Sequence, residues 1–237
     1  MPFTYEYPHP AVTVDTVLFS FGEDGLEVLL IERKGDPFKG AWAIPGGFVD
    51  YSEGLDAAAQ RELEEETGIK RGKLEQIGTF GEPGRDPRER IITVVYMALV
   101  RKERCRPKAG SDASDARWFK MSRLPKLAFD HKKILKAARS RLEEQAIQTP
   151  ILFKQLSNKW SLEQARDLYE QLFRTEIPKR QFSKALREMG AEQVGESSKG
   201  EEKLYTLGSK PLNLCGKRRW ESPDLAFFFT SISLNHE

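Results

Sequence analysis

The sequence has little cysteine and little histidine. Its 237 residues include two distant cysteines, Cys105 and Cys215, and three scattered histidines, His9, His131 and His236. Disulfide frameworks and zinc sites need closely spaced groups of these residues, such as CxxC pairs. The sequence therefore supports neither kind of site.

A long apolar run and a targeting pattern are also missing. No apolar stretch reaches the roughly 18 residues that a membrane span requires. The N-terminus, MPFTYEYPHPAV, lacks the basic segment followed by an apolar segment that is typical of a signal peptide. We therefore expect a cytoplasmic protein with no membrane partner.

A strong excess of one charge is absent from the chain as a whole, which has 38 basic and 36 acidic residues. The distribution is less even, because residues 151–220 contain 14 Lys or Arg against 9 Asp or Glu, whereas residues 1–150 contain 24 of each. A length of 237 residues allows a medium and a small domain. The pattern predicts a modestly basic C-terminal module, although many solvated surfaces carry as much charge.

The first part of the chain is predicted to form a mixed sheet flanked by helices. Alternating and β-branched runs predict strands at residues 11–20, 27–33 and 91–100, with shorter strands around Phe48, Ile77 and Trp118. Helical periodicity predicts a helix over residues 55–66 that is closed by Gly68, and another that begins at Asp130. The fold class is therefore α/β.

The pattern changes after Thr149-Pro150. The spacing of Ser161 and Gln164 fits a capping box that opens a helix. Pro178 suits the first turn of a second helix, and two extended runs follow, around Gln193 and over residues 204–207. Two helices followed by a hairpin predict a small winged helix-turn-helix domain.

Three glutamates on the first predicted helix carry the strongest chemical signal. Glu62, Glu65 and Glu66 stand at i, i+3 and i+4, within an arc of roughly 100°, while Glu64 points to the far side. Converging carboxylates repel one another unless a cation lies between them, and hard oxygen ligands suit Mg²⁺ or Mn²⁺. The alternative is a solvated acidic helix face.

The neighbouring residues argue for the metal site. Gly46-Gly47 allows close backbone approach, so the Gly47 carbonyl could be another ligand, and Arg61 could pair with Glu53 to brace the loop against the helix. The full spacing runs from Gly47 through Glu53 and the REL of residues 61–63 to Ile69. At all nine specified positions it is similar to the Nudix box of the Nudix hydrolases.

This resemblance implies an α/β/α sandwich that hydrolyses nucleoside diphosphates linked to another moiety. It also implies that Glu62, Glu65 and Glu66 bind metal, with Glu62 a general base in some members. Other carboxylates that a loop could bring to the metal compete for that role, namely Glu82, Glu89, Asp112 and Asp115.

The arginine-rich loop over residues 81–90 is the predicted substrate-binding segment. Arg85 and Arg88, which flank Asp86, could fork onto phosphate or stack on adenine, unless the loop is simply solvated. The RDPR of this loop and the following TVVY resemble the ADP-ribose-handling branch of the Nudix proteins. Arg33 and Trp42 are further pocket candidates, and core packing explains Trp42 equally well.

The C-terminal segment resembles the winged-helix domain of Nudix repressors of NAD metabolism, which sense ADP-ribose. The resemblance implies that this domain binds double-stranded DNA. Besides the helix residues given next, Ser183 and the wing residues Lys199 and Lys203 could contact the DNA. The proposed recognition helix carries the main candidates, Lys179, Arg180, Gln181, Lys184 and Arg187. The alternative is a basic solvated helix on a dimerisation or packing module.

We therefore predict a Nudix domain over residues 8–146, a winged-helix domain over residues 147–208 and a tail of unknown role over residues 209–237. The preferred function is a Mg²⁺-dependent pyrophosphohydrolase for ADP-ribose or a related compound that also binds DNA, as a homodimer. The alternative is a repressor whose pocket senses ADP-ribose without cleaving it. Sensing does not require every metal carboxylate, so the intact box favours hydrolysis.

Overall fold

The computed structural model describes residues 6–70, 73–110, 113–196 and 203–207. The chain divides into two compact units, the first made mostly of residues before 140 and the second mostly of residues from 140 onward. Predictions for Asp112, Lys199 and the tail over residues 209–237 lie outside the described residues.

The first unit contains a seven-stranded mixed sheet. Its main strand order is β3-β2-β1-β6-β5, while β4 pairs with β1 and β7 pairs with β2. β1 and β6 are parallel, and β3, β4, β5 and β7 pair antiparallel with their neighbours. The strands are β1 (Ala11–Gly22), β2 (Gly25–Arg33), β3 (Trp42–Ala43), β4 (Gly46–Phe48), β5 (Glu75–Phe80), β6 (Ile91–Leu99) and β7 (Ala113–Lys120).

Helices α1 (Leu55–Thr67) and α2 (His131–Gln148) flank this sheet. Side chains alternate along β1. Val14 packs with Ala58 and Ala59 of α1, whereas the neighbouring Asp15 faces His131 at the start of α2. The predicted mixed sheet between helices is confirmed.

Helix α1 ends where the sequence predicts. Gly68 adopts the left-handed conformation, with φ of 71°, and its N–H donates to the Glu64 carbonyl at 2.8 Å. Glycine enters this conformation without the steric cost that a Cβ would add. The cap fixes the last turn of α1, which carries Glu65 and Glu66.

The second unit contains two further helices and a three-stranded sheet. Helix α3 (Leu162–Phe173) begins with the predicted capping box, because Ser161 and Gln164 each accept a hydrogen bond from the other's backbone N–H. Helix α4 (Lys179–Glu188) follows, with Pro178 just before its first turn. The sheet has the order β8-β10-β9, formed by β8 (Trp160–Ser161), β9 (Ala191–Glu196) and β10 (Lys203–Leu207). The predicted arrangement of helix, helix and hairpin is confirmed.

No helix in the described ranges is long and apolar enough to cross a membrane.

Candidate functional site

A cavity of about 570 Å³ opens in the first unit beside α1. It brings together residues from α1, β4, the end of β2 and the arginine-rich loop over residues 81–90. The predicted site residues that line it are Arg33, Gly47, Arg61, Glu62, Glu66, Arg85, Asp86 and Arg88.

Arg61 is the hydrogen-bonding centre of the box. Its guanidinium donates to both carboxylate oxygens of Glu53, to Glu62 at 2.8 Å and to Glu65 at 3.1 Å. It also donates to the Phe48 carbonyl at 3.0 Å. Glu53 in turn accepts from the Asp50 N–H at 2.8 Å. The predicted brace between Glu53 and Arg61 is confirmed, and it joins the loop, β4 and α1.

Glu62 lies against Gly47 of β4. A Cβ on Gly47 would stand 2.4 Å from a Glu62 carboxylate oxygen, so a side chain at this position would displace the carboxylate. Burial raises the pKa of Glu62, although hydrogen bonding to Arg61 opposes the shift. Of the general-base candidates in the described residues, Glu62 is the one that lines the cavity.

The other box glutamates have different environments. The Glu66 carboxylate is buried and accepts from the Gly46 N–H at 2.8 Å. Glu65 is held by Arg61, and Glu64 forms an ion pair with Lys70. Within the described parts of the chain, no three His, Cys, Asp or Glu side chains form a ready metal cluster.

A buried polar network forms one wall of the cavity. Arg85, whose side chain is 4% exposed, forks onto Asp130 with distances of 3.2 and 2.8 Å. Asp15 accepts from Thr93 at 2.7 Å and lies 3.7 Å from His131 Nε2. The guanidinium predicted to bind phosphate is therefore already paired within the protein.

His131 is neutral in this network. Its Nδ1 accepts from the Ile44 N–H at 2.9 Å, and complete burial lowers the pKa of the imidazole despite the nearby Asp15 carboxylate. The neutral ring therefore carries its proton on Nε2, the nitrogen that faces Asp15.

Arg88 lies between two aromatic rings. Its guanidinium carbon is 5.2 Å from the ring centre of Phe48 and 5.6 Å from that of Phe129. Asp86 holds this guanidinium at 3.0 and 2.7 Å and also accepts from the Arg88 N–H. Burial alone would raise the pKa of Asp86, but hydrogen bonds from Arg88 and the charges of Arg88 and Arg85 together outweigh it and lower the pKa. Asp86 thus orients Arg88.

In the second unit, helix α4 presents a basic face. Arg180, Gln181, Lys184 and Arg187 are exposed, while Phe182, Ala185 and Leu186 are buried. Arg180, Lys184 and Arg187 fall on one side of the helix by their spacing. Lys179 is exposed as well, but it forms an ion pair with Glu163 at 2.5 Å.

Comparison with known proteins identifies the family. The model of the NUDIX domain matches residues 9–138, more than half of the chain. The chain belongs to the Nudix family. The enzyme class predicted from the sequence, a Nudix hydrolase, is confirmed, and Nudix hydrolases generally use divalent metals.

Two relatives match different lengths of this Nudix chain. An ADP-ribose pyrophosphatase from Methanocaldococcus jannaschii is 45% identical over 130 residues, covering 55% of this chain and 73% of the relative. The ADPR responsive transcriptional repressor NtrR from Acinetobacter baylyi is 33% identical over 198 residues. This match covers 82% of this chain and 79% of the relative.

Solved structures of Shewanella oneidensis NrtR are also similar. The structure complexed with a 27mer DNA has a TM-score of 0.69 and 31% identity, and the match covers 83% of this chain and 93% of that one. The NUDIX domain of NrtR complexed with ADP ribose has a TM-score of 0.54 and 35% identity. This match covers 57% of this chain and 90% of that domain.

Trp42 does not line the Nudix cavity. Its ring packs edge-on against Phe119 with 4.5 Å between ring centres, and Arg117 lies over its face. Its backbone pairs with Lys126 and Ala128. Trp42 is half-buried, and the structure shows it packed against its neighbours, which was the alternative left open by the sequence. Asp115 also lies outside this cavity and pairs with Arg117.

Several residues that line the Nudix cavity were not predicted from the sequence. Asp15, Phe48, Phe129 and His131 come from three separate segments and meet through the β1–β4 pairing and the start of α2. A lone buried acid in an apolar strand was the available signal for Asp15. The aromatic residues carried no such signal.

Proposed function

We propose that the first unit hydrolyses the diphosphate of ADP-ribose or a related nucleoside diphosphate compound, using Mg²⁺ or Mn²⁺. The observation that carries this proposal is the single cavity that joins the box carboxylates to Arg33, Arg88 and two phenylalanine rings. Carboxylates suit the metal end of such a ligand, while guanidinium and aromatic groups suit its phosphate and base.

The donor set fits a divalent metal. Glu62, Glu65, Glu66 and the Gly47 carbonyl would hold it, because all supply hard oxygen ligands and the guanidinium of Arg61 already draws two of these carboxylates to one cation. When bound, the metal neutralises diphosphate charge and acidifies a water. Glu62 lines the cavity, so it is the carboxylate placed to accept a proton from the attacking water.

The test is AMP release from ADP-ribose in the presence of Mg²⁺. We expect Glu66→Gln to lose at least about a hundredfold in rate, since one metal ligand is weakened. Glu64→Gln is the matched control on the same helix, because Glu64 pairs with Lys70 outside the cavity. Equal rates for wild type and Glu66→Gln would remove this enzymatic function for ADP-ribose.

We also propose that the second unit binds double-stranded DNA and regulates transcription. The supporting observation is the exposed basic face of α4, whose opposite side is buried. The similar A. baylyi protein is an ADPR responsive repressor, and the similar S. oneidensis protein was solved with DNA. In this setting a homodimer would read two half-sites about one helical turn apart.

Gel retardation tests the regulatory proposal. We expect retardation of DNA upstream of NAD-biosynthesis genes at low salt, and a change in that retardation when ADP-ribose is added. Absence of any complex at low salt would contradict the proposal. AMP release and DNA binding are separate measurements, so an enzyme, a sensor and a protein with both activities give different results.

A further inference from the structure

The segment over residues 44–47 connects β3 to β4 and runs past the carboxylates of the Nudix box. The Gly46 N–H holds the Glu66 carboxylate at 2.8 Å, and Gly47 lies against the carboxylate of Glu62. A Cβ on Gly46 would stand 2.1 Å from a backbone oxygen of β1, so the segment packs there without spare room. The place of this segment therefore sets the place of the groups proposed to bind metal.

The first residue of the segment is held by a side chain from another element. Trp42 and Ile44 are two residues apart, so their N–H groups point to the same side of an extended chain. On that side the Trp42 N–H donates to the Lys126 carbonyl at 3.0 Å, and the Trp42 carbonyl accepts from the Ala128 N–H at 2.8 Å. The Ile44 N–H donates instead to His131 Nδ1 at 2.9 Å. The imidazole thus continues the backbone pairing of this stretch.

This contact is the last backbone donor before Gly46. Ile44 is 2% exposed, so an N–H that lost its acceptor could not turn to water. Pro45 has a fixed φ and no N–H, and its carbonyl accepts from the Thr16 N–H of β1 at 2.8 Å. A shift at Ile44 would therefore pass directly to the N–H that holds Glu66.

His131 is itself fixed in the orientation that the contact needs. It begins α2, and its side chain is buried. Asp15 Oδ1 lies 3.7 Å from Nε2, and the same carboxylate accepts from Thr93 at 2.7 Å. A carboxylate that faces Nε2 favours the ring with its proton on that nitrogen, which leaves Nδ1 as an acceptor.

We propose that His131 is a positioning residue for the metal end of the cavity. Through Ile44 it sets the segment over residues 44–47, and that segment places Glu66 and the Gly47 carbonyl around the divalent cation. This inference rests on the proposed function and adds to its metal site a residue that lies 87 positions after Ile44, outside the box. The imidazole is not a ligand, because Nδ1 bonds the Ile44 N–H and Nε2 faces Asp15.

Binding of Mn²⁺ alone, followed by the electron paramagnetic resonance signal of the free ion, tests this role without turnover. We expect His131→Gln to weaken Mn²⁺ binding by about tenfold, because the Gln amide reaches the place of Nε2 but leaves no acceptor at the place of Nδ1. His131→Leu has no acceptor and should lose as much. His131→Asn should stay within about twofold of wild type, since its amide oxygen takes the place of Nδ1.

Ser20→Ala is the matched control. Ser20 is buried and its hydroxyl accepts from the Lys102 N–H at 3.0 Å, so this variant also removes a side-chain acceptor from a backbone N–H, but outside the cavity lining. Urea denaturation measures the stability of every variant. We expect Ser20→Ala to lose stability and keep its Mn²⁺ affinity, whereas His131→Gln should lose both.

Mn²⁺ affinities equal to wild type for the Gln and Leu variants would overturn the positioning role and leave hydrolysis standing. An equal loss in Ser20→Ala would overturn it too, as would a His131→Asn variant no better than His131→Gln or a wild-type chain that does not bind Mn²⁺. If the Gln and Leu variants do not fold, His131 serves stability and the positioning role is rejected. The expected order of Mn²⁺ affinities without AMP release by wild type in Mg²⁺ would instead defeat the hydrolysis proposal and leave the positioning role standing.

Discussion

At the scale of single residues, Arg61 links more parts of the site than any box carboxylate. It bonds Glu53 in the loop, two carboxylates on α1 and the carbonyl of Phe48. Donation to the carboxylates, above all to Glu53 and then to Glu62, raises the pKa of Arg61 well above its usual value, although burial opposes the shift. Its role is therefore to position groups that act on the ligand.

Replacement of Arg61 should cost both stability and activity. We expect Arg61→Gln to lower the free energy of unfolding by about 2 kcal/mol, because several charged acceptors lose their donor. Arg61→Lys should recover only part of the loss, since one ammonium cannot form the same fork. Urea denaturation measures the change. Arg117→Gln, at an exposed ion pair with Asp115, should change stability by less than about 1 kcal/mol, and an equal effect at both sites would contradict this role.

His131 should make stability depend on pH in the weakly acidic range. Burial lowers the pKa of the folded imidazole below the unfolded value of 6.5. The unfolded chain therefore binds the proton first, and the contribution is fully present above about pH 6.5 and is lost as pH falls towards the folded pKa. Between pH 7.5 and 5.5 this loss can reach about 1.4 kcal/mol.

Denaturation of wild type and His131→Asn at both pH values measures this contribution as a difference of slopes. Glu62 acts in the opposite direction, because its raised pKa makes stability fall as pH rises, but it is present in both proteins. The exposed His9 is also common to both. Identical pH slopes for the two proteins would show that His131 does not remain neutral.

At the scale of elements, the segment over residues 107–110 closes the end of α1. The Lys108 N–H donates to the Thr67 carbonyl at 2.9 Å, and the Gly110 N–H donates to the Glu66 carbonyl at 3.2 Å. A Cβ on Gly110 would lie 1.6 Å from the Glu65 carbonyl oxygen. Only glycine allows the segment to approach the turn that carries Glu65 and Glu66.

Gly110→Ala should therefore disturb α1 and the hydrolytic site together. We expect the free energy of unfolding to fall by about 1–3 kcal/mol, as is usual when a well-packed site is overfilled. We also expect AMP release to need a higher Mg²⁺ concentration, because the proposed ligands Glu65 and Glu66 move. Gly78→Ala is the control, since its added Cβ meets only the Phe80 ring at 3.9 Å. Thermal unfolding and Mg²⁺ titration provide the two measurements, and unchanged Mg²⁺ dependence would separate the segment from the site.

Helix α1 and its box were predictable because their information is local. The spacing of Glu62, Glu65 and Glu66 and the cap at Gly68 lie within one short stretch. The partner of Arg85 could not be predicted from local sequence. Its sequence context indicated a ligand-facing guanidinium, but the fold brings Asp130 from 45 residues away to bind it.

The aromatic wall of the cavity was not predictable for a related physical reason. Phe48 reaches the cavity through the pairing of β4 with β1. Phe129 reaches it through a positive φ that no sequence pattern predicts. Trp42 had the stronger sequence signal as a pocket residue, but β3 directs it towards Phe119. Contacts set by strand pairing depend on the whole sheet and on no local motif.

At the scale of the whole molecule, an intact Nudix site and a basic helix occur in one chain. The near balance of 38 basic and 36 acidic residues hides this division of charge. The DNA proposal therefore rests on the charge of one face of α4 and not on net charge. Binding through this face should depend on salt, because each phosphate contact releases counterions.

The residues of α4 should contribute unequally to DNA affinity. Removing the charge at Arg180 should weaken binding and lower the slope of log affinity against log salt by about one, since one phosphate contact is lost. Lys179→Gln is the matched control on the same turn, and its effect should be smaller because Lys179 is already paired with Glu163. Fluorescence anisotropy on a labelled duplex at several salt concentrations measures both slopes. If neither substitution changed the slope, the basic face of α4 would not be the DNA-contacting surface. An equal decrease for both would instead show that the ion pair with Glu163 does not keep Lys179 from the phosphates.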